Sequence, residues 1–526
     1  MAEKVEIDPG TPAWTEQDER QGLDPLGMQN TSISLYQWLV PGVSNVTLRM
    51  RYYALHSWLA HEYARAHHSP DVEEWCRFLR RGEALYALIS QYQVQETGVA
   101  GNRWAGKTLK NLRGERIVFA ANADKPNKPA QYLRQKFGAF GAAYSSQLQV
   151  VGLIEAARDH DVPIVTGAMG RAVARAFGAE VGAAGRLFLQ SVASGVVTLA
   201  ELKRMARMAP ARIDEDTEER QLYEQVLFAP GAAGALPALR RRDTLRVILH
   251  TARQLKAPPD AGDVRWTAYS GHDGVGKPLA PLGPSDAEHR YRWRTYHAND
   301  LTHVCHETLL RFVLEVLAAY PGGIALRTLI VEVIDRLLAV AEPRPGTWAQ
   351  LEAAVTVPPN AWSEEPDAEW LLSEELLGVK MKVALTAETA FLSLRLLAVL
   401  GKRLRAERER MHSVLVHVAH RQSQTVLTEP AFMDSRRNLP IEQALADLLK
   451  QRILDRHLAV AFQKLRGGDY TFLFEVDEGR LRLRKKAGAV LTNPRLRSAI
   501  AFLHDIHLLN GDGLTAGGAR VLKAAA

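Results

Sequence analysis

The stretch GNRWAGKT, residues 101–108, sets Gly101, Gly106, Lys107 and Thr108 at every position of the pattern G-x-x-x-x-G-K-[ST]. In a phosphate loop of that pattern, backbone N–H groups cradle a nucleoside triphosphate, the lysine reaches the outer phosphates and the hydroxyl meets Mg²⁺. The chemistry needs an apolar strand feeding the loop, a helix leaving it and an acidic residue at the end of another strand. Here the upstream QYQVQETGVA is polar, and downstream TLKNLRGE soon reaches Gly114. The best acidic candidate, Asp335 of LIVEVID, lies in a segment of helical spacing through Leu326, Leu329, Ile330, Val333 and Leu337. The expected role of GNRWAGKT is therefore a glycine-flexible loop opening a basic stretch, with a P-loop NTPase as an alternative.

TYHANDLTHVCHETLL (295–310) gathers His297, Asp300, His303, Cys305, His306 and Glu307. His303 and Glu307 share one face of a helix, as metal ligands do. The order is not that of the HExxH proteases, and spacing places no third ligand. Apolar Leu301, Val304, Leu309, Phe312, Val313 and Val316 point instead to a packed helix with internally bonded histidines. A metal-dependent nuclease is a second alternative, and no metal or cofactor is expected. Arg49, Arg51, Tyr52, Tyr53 and Trp58 form an aromatic-basic cluster that fits base stacking or, more simply, a core with snorkelling cations.

Charge distribution carries more information than the formal +7 net charge of the 526 residues. Between Asn102 and Lys136 stand Arg103, Lys107, Lys110, Arg113, Arg116, Lys125, Lys128, Arg134 and Lys136, opposed only by Glu115 and Asp124. Further clusters are Arg240–Arg242, KRLRAERER at 402–410 and RLRLRKK at 480–486. Clustered cations of this kind attract phosphate backbones, although solvated helix faces also explain any single cluster. The candidate contacts to nucleic acid are Arg103, Lys107, Lys110, Arg113, Arg482, Arg484, Lys485, Lys486, Arg495 and Arg497. No catalytic residue is assigned.

The elements that must position these residues are mainly helical. Helical spacing runs through 45–67, 70–91, 128–158, 168–189, 198–208, 215–229 and 240–256, then from Ser285, and over 386–424 with an interruption near Gly401. A chain of this length implies about two to four domains. The expected division is a flexible tail at 1–26, a helical domain at 27–256, a Pro/Gly-rich loop or linker at 257–284, a central helical domain at 285–428 and an α+β C-terminal domain at 429–526. Tyr470–Arg484 alternates across Asp477-Glu478-Gly479, which predicts a β-hairpin. Two distant cysteines, Cys76 and Cys305, a polar N-terminus and the lack of a long apolar run point to a cytoplasmic protein without a membrane span.

Two resemblances add to this reading. AIAFLHDIHLLNGDGLTAGGARVL (499–522) resembles a winged-helix segment, which implies a small module for DNA or protein contact. Residues 22–64, through Asp24-Pro25-Leu26-Gly27, Leu39–Gly42, Asn45, Thr47, Arg49, Arg51-Tyr52-Tyr53 and Trp58, resemble the N-terminal signature of uncharacterised bacterial proteins of multi-gene defence loci. That family supplies no catalytic residue. It implies a non-enzymatic subunit that meets nucleic acid, expected to be DNA, and other proteins of an anti-phage or anti-plasmid assembly. A pure protein scaffold is the remaining alternative.

Overall fold

Helices dominate the chain, in keeping with the mainly α, multidomain expectation. The computed structural model describes residues 24–44, 48–67, 69–94, 97–124, 131–228, 236–419 and 423–523. Asn45, Thr47, His68, Lys125, Lys128 and most of the predicted N-terminal tail lie outside them. No helix among the described residues is long and apolar enough to cross a membrane.

The chain forms two compact units, each discontinuous in sequence. The first comprises Met1–Leu35, Arg265–Leu279 and Tyr291–Thr492; the second comprises Tyr36–Val264, Ala280–Arg290 and Asn493–Ala526. The predicted boundaries differ from these. The 429–526 stretch divides at Thr492, and the predicted linker 257–284 contains the helix Ala261–Ser270. That helix starts where Asp260 and Asp263 accept each other's backbone N–H at 2.8 Å, and it ends at Gly271 with φ +75°. The reciprocal cap outweighs the breaker composition around it.

In chain order the first four described helices are α1 (Gln29–Leu39), α2 (Arg51–Ala66), α3 (Val72–Val94) and α4 (Asn102–Lys110), and in the second unit α2 packs against Met169–Ser194. Trp58 meets Phe177 and Phe188, and a Cβ on Gly178 would come within 3.2 Å of its indole nitrogen. Arg51 is fully buried: it holds Glu219 with two bonds of 2.7 and 2.9 Å and donates to the carbonyls of Arg207 and Ala209. Tyr53 donates to the Gly42 carbonyl and Tyr52 accepts from the Ala100 N–H. The aromatic-basic cluster of the sequence is thus largely core. Arg49, only partly exposed, pairs with Asp505.

The predicted helix 128–158 is shorter than its apolar spacing suggests. A π-turn at Phe140–Tyr144 leads into Ser145–Val150, and Ile154–Glu155 then pairs as a strand with Ile164–Val165. Gly138 and Gly152, at φ +55° and +73°, bracket this helical stretch.

In the first unit the helix Pro284–Leu317 is buried nearly all round from Trp293 onward, the pattern of a core helix. The predicted hairpin forms as Phe474–Asp477 against Arg480–Leu483, and Ile324–Ala325 adds a third strand beside Arg480–Leu481. Glu478 and Gly479 both take positive φ, as a two-residue I′-type turn requires. The helix from Thr386 passes through Gly401 unbroken and stops at Leu404, because Gly401 is a buried small residue between Glu352 and Pro430.

Breaking a buried, hydrogen-bonded ion pair from one side strands its partner, at a cost of about 3–5 kcal/mol. Arg51→Met should destabilise the protein by that amount in urea titration, and adding Glu219→Gln should recover part of the loss. A change below about 1 kcal/mol for the single variant contradicts the role given to this pair.

Candidate nucleic-acid interface

Gly101 takes a left-handed φ of +77° and caps helix α4 (Asn102–Lys110), so most of GNRWAGKT is helical. This corrects both the phosphate-loop and the flexible-loop readings. Gly101 supplies the turn, and the residues after it tolerate helix with Gly106 inside. The Thr108 hydroxyl donates to the Trp104 carbonyl one turn back. Asp335 lies within the helix Leu326–Ala339 rather than on a strand.

Arg103, Lys107 and Lys110 fall at i, i+4 and i+7 of α4 and are all exposed. Beyond α4, Arg113 is exposed outside any regular element and Arg116 opens a strand that pairs with Val196–Thr198, with Ile117 turned inward. These residues, apart from Lys110, line an open cleft of about 1360 Å³ together with Arg134. Among the described residues, no carboxylate lines the cleft. Among the described residues, no ion pair or side-chain hydrogen bond engages Arg103, Lys107, Lys110, Arg113, Arg116 or Arg134.

Helix α3 (Val72–Val94) holds the wall that carries Arg134. The buried guanidinium of Arg80 donates to the carbonyls of Ala123, Leu133 and Gln135 at 2.6, 2.9 and 2.5 Å. With the carbonyls on both sides of Arg134 drawn inward, its own side chain is left exposed to solvent. Arg81 makes a bidentate pair with Asp124, both bonds 2.7 Å. Glu83 accepts the N–H groups of Ala139 and Phe140 at 2.8 and 2.7 Å, where the next helical stretch begins. Burial pushes the Glu83 carboxyl up to about 8 and the His56 imidazole down to about 3. At neutral pH their 3.7 Å approach therefore joins two uncharged groups.

The other basic clusters are neutralised within the fold. On the hairpin, Arg482 pairs with Asp477 and Arg484 with Glu475, each at 2.8 Å, while Lys486 pairs with Glu315. Lys485 alone of that group is exposed without a partner among the described residues. Arg403, Arg405 and Arg408 bind Glu369, Glu352 and Asp434, and Lys402 donates to two backbone carbonyls. Arg240 stacks on Trp38, Arg241 is buried against backbone carbonyls and Arg242 pairs with Asp243. Arg495 is only 8% exposed, packs over Tyr36 and donates to Gln147, so it is withdrawn from the surface; Arg497 remains exposed. Thus Arg482, Arg484, Lys486 and Arg495 do not offer the unpaired surface charge that their sequence clustering implied. Arg116, Arg134 and Trp104 belong to the cleft, yet nothing in their residue types or spacing separates them from their neighbours.

The acidic and histidine cluster of the first unit is also internal. His303 contacts the Val490 carbonyl at 2.8 Å and Asp300 at 3.4 Å. Glu307 accepts from Gln29 and the Val490 N–H, and His306 meets Glu429 at 3.0 Å. Asp300 also takes Arg265 and the Thr492 hydroxyl. Burial raises the Asp300 carboxyl, but the charges of His303 and Arg265 outweigh it and hold the group below its ordinary value. Among the described residues, no group of three His, Cys, Asp or Glu is arranged to hold a metal ion.

Compared with models of known families, with curated proteins and with solved structures, the chain gives no match.

Between pH 4.5, the ordinary carboxyl value, and about 8, Glu83 is protonated in the fold but ionised in the unfolded chain. Its contribution to stability is complete below that window and is lost as pH rises through it. Glu83→Gln removes this loss, so the variant should gain stability relative to the parent between pH 5 and 8 in parallel urea titrations. A difference that is flat with pH contradicts a protonated Glu83.

Proposed function

We propose that this chain is a nucleic-acid-binding subunit that holds the phosphate backbone in the cleft beside α4. One observation carries the reading: Arg103, Lys107, Arg113, Arg116 and Arg134 line a single cleft in which, among the described residues, they meet no carboxylate and no internal partner, whereas most cations of the other clusters are paired or buried. The cleft exceeds the roughly 300–1,000 Å³ of ordinary small-molecule pockets, which favours a polymer over a free nucleotide. Binding of this kind is strongly salt-dependent and reads little sequence, because phosphate contacts position without specifying.

The likeness of residues 22–64 to proteins of bacterial defence loci supports placing the subunit in such an assembly, beside protein partners. The residues that carry the likeness hold the fold together here: Arg51 binds Glu219, Tyr53 binds Gly42, and Trp58 packs on Phe177. The winged-helix-like segment offers Arg497 as an accessory cation.

Binding of a labelled duplex, followed by fluorescence anisotropy across salt concentrations, tests the reading. Five phosphate contacts on duplex DNA imply a slope of log affinity against log salt near −4.5, about −0.9 for each contact. Lys107→Glu with Arg113→Glu should lower affinity more than about tenfold and flatten the slope, while Arg482→Glu with Arg484→Glu should do neither. Equal effects from both pairs, or no binding by the parent protein, reject the cleft.

A further inference from the structure

The cleft holds more than cations. Trp104, half-buried, lines it on α4 between Arg103 and Lys107. Its indole meets the buried Tyr132 ring edge-on, with centroids 5.4 Å apart at 81°, and the Thr108 hydroxyl bonds its carbonyl. These contacts brace an aromatic surface inside the basic wall. The carboxamides of Asn111, Asn122 and Gln135 also line the cleft and form no hydrogen bond among the described residues.

Three chemistries therefore share one cleft: guanidinium and ammonium groups for phosphates, an indole for a ring face, and carboxamides that both donate and accept. Resting on the nucleic-acid reading above, we infer that the cleft takes a single strand, with a base stacked on Trp104, its polar edge on the carboxamides and the flanking phosphates on Arg103 and Lys107. A duplex offers this wall only its backbone. Its bases are already stacked on one another, and their Watson–Crick edges are paired. In an unpaired strand both features are open, and base–aromatic stacking contributes about 1–3 kcal/mol per base.

Affinity for a labelled thymidine homopolymer, compared with a duplex carrying the same number of phosphates, tests the inference on the full chain. The parent protein should prefer the single strand. Trp104→Ala should weaken single-strand binding by about 5- to 150-fold, the stacking range converted at 1.4 kcal/mol per decade. Duplex affinity and its salt slope should stay unchanged. Trp104→Phe should keep most of the single-strand affinity, which separates stacking from a folding defect. An equal loss on both polymers, or no loss on either, overturns the single-strand assignment and leaves the phosphate cleft standing. Indifference of both polymers to Lys107→Glu with Arg113→Glu overturns the cleft itself, and the single-strand assignment with it.

Discussion

The buried guanidinium of Arg80 is the constraint on which the candidate interface depends. Its three hydrogen bonds reach carbonyls at Ala123, which ends a short helix, and at Leu133 and Gln135, which belong to no regular element. A charged group this deep is costly unless its donors are satisfied, and here the loop satisfies them. The consequence is geometric. The backbone on both sides of Arg134 is held to the helix Val72–Val94, and Arg134 is presented to the cleft. Arg81 and Glu83, from the same helix, fasten Asp124 and the start of the helical stretch after Gly138 in the same manner.

Charge is distributed in this protein by two different rules. The clusters at 240–242, 402–410 and 480–486 sit among acids, aromatic rings or backbone carbonyls, and they stabilise elements internally. Among the described residues, the cations around α4 form no ion pair, although the exposed Glu115 stands beside Arg116 in the chain. Like charges gathered without ion-pair partners raise the energy of the unliganded state, and an anionic polymer relieves that repulsion when it binds. Net positive charge alone could not have separated these two uses of arginine and lysine.

Much of the fold could be read from the sequence because its signals are local. The hairpin at Asp477-Glu478-Gly479 follows from strand alternation around a turn that needs positive φ, and the buried helix around His303 follows from its apolar spacing. The site was legible only in part. Arg103, Lys107 and Arg113 were visible as a basic run, but whether a cation is paired depends on residues far away in sequence. Lys486 meets Glu315, and Arg495 meets Tyr36 and Gln147. The absence of a feeding strand argued against the phosphate loop, but the flexible loop expected in its place missed the helix that Gly101 starts. Trp104 lay inside that very motif, and only the fold gathers it into one cleft with the carboxamides of Asn111 and Asn122.

Hydrogen–deuterium exchange of the full chain, with and without a bound oligonucleotide, tests the central claim most directly. Phosphate binding in the cleft predicts slowed exchange across residues 101–118 and 131–136, with the hairpin at 474–483 unchanged. Protection concentrated on the hairpin or on 496–523, with the α4 region unaffected, would contradict the account.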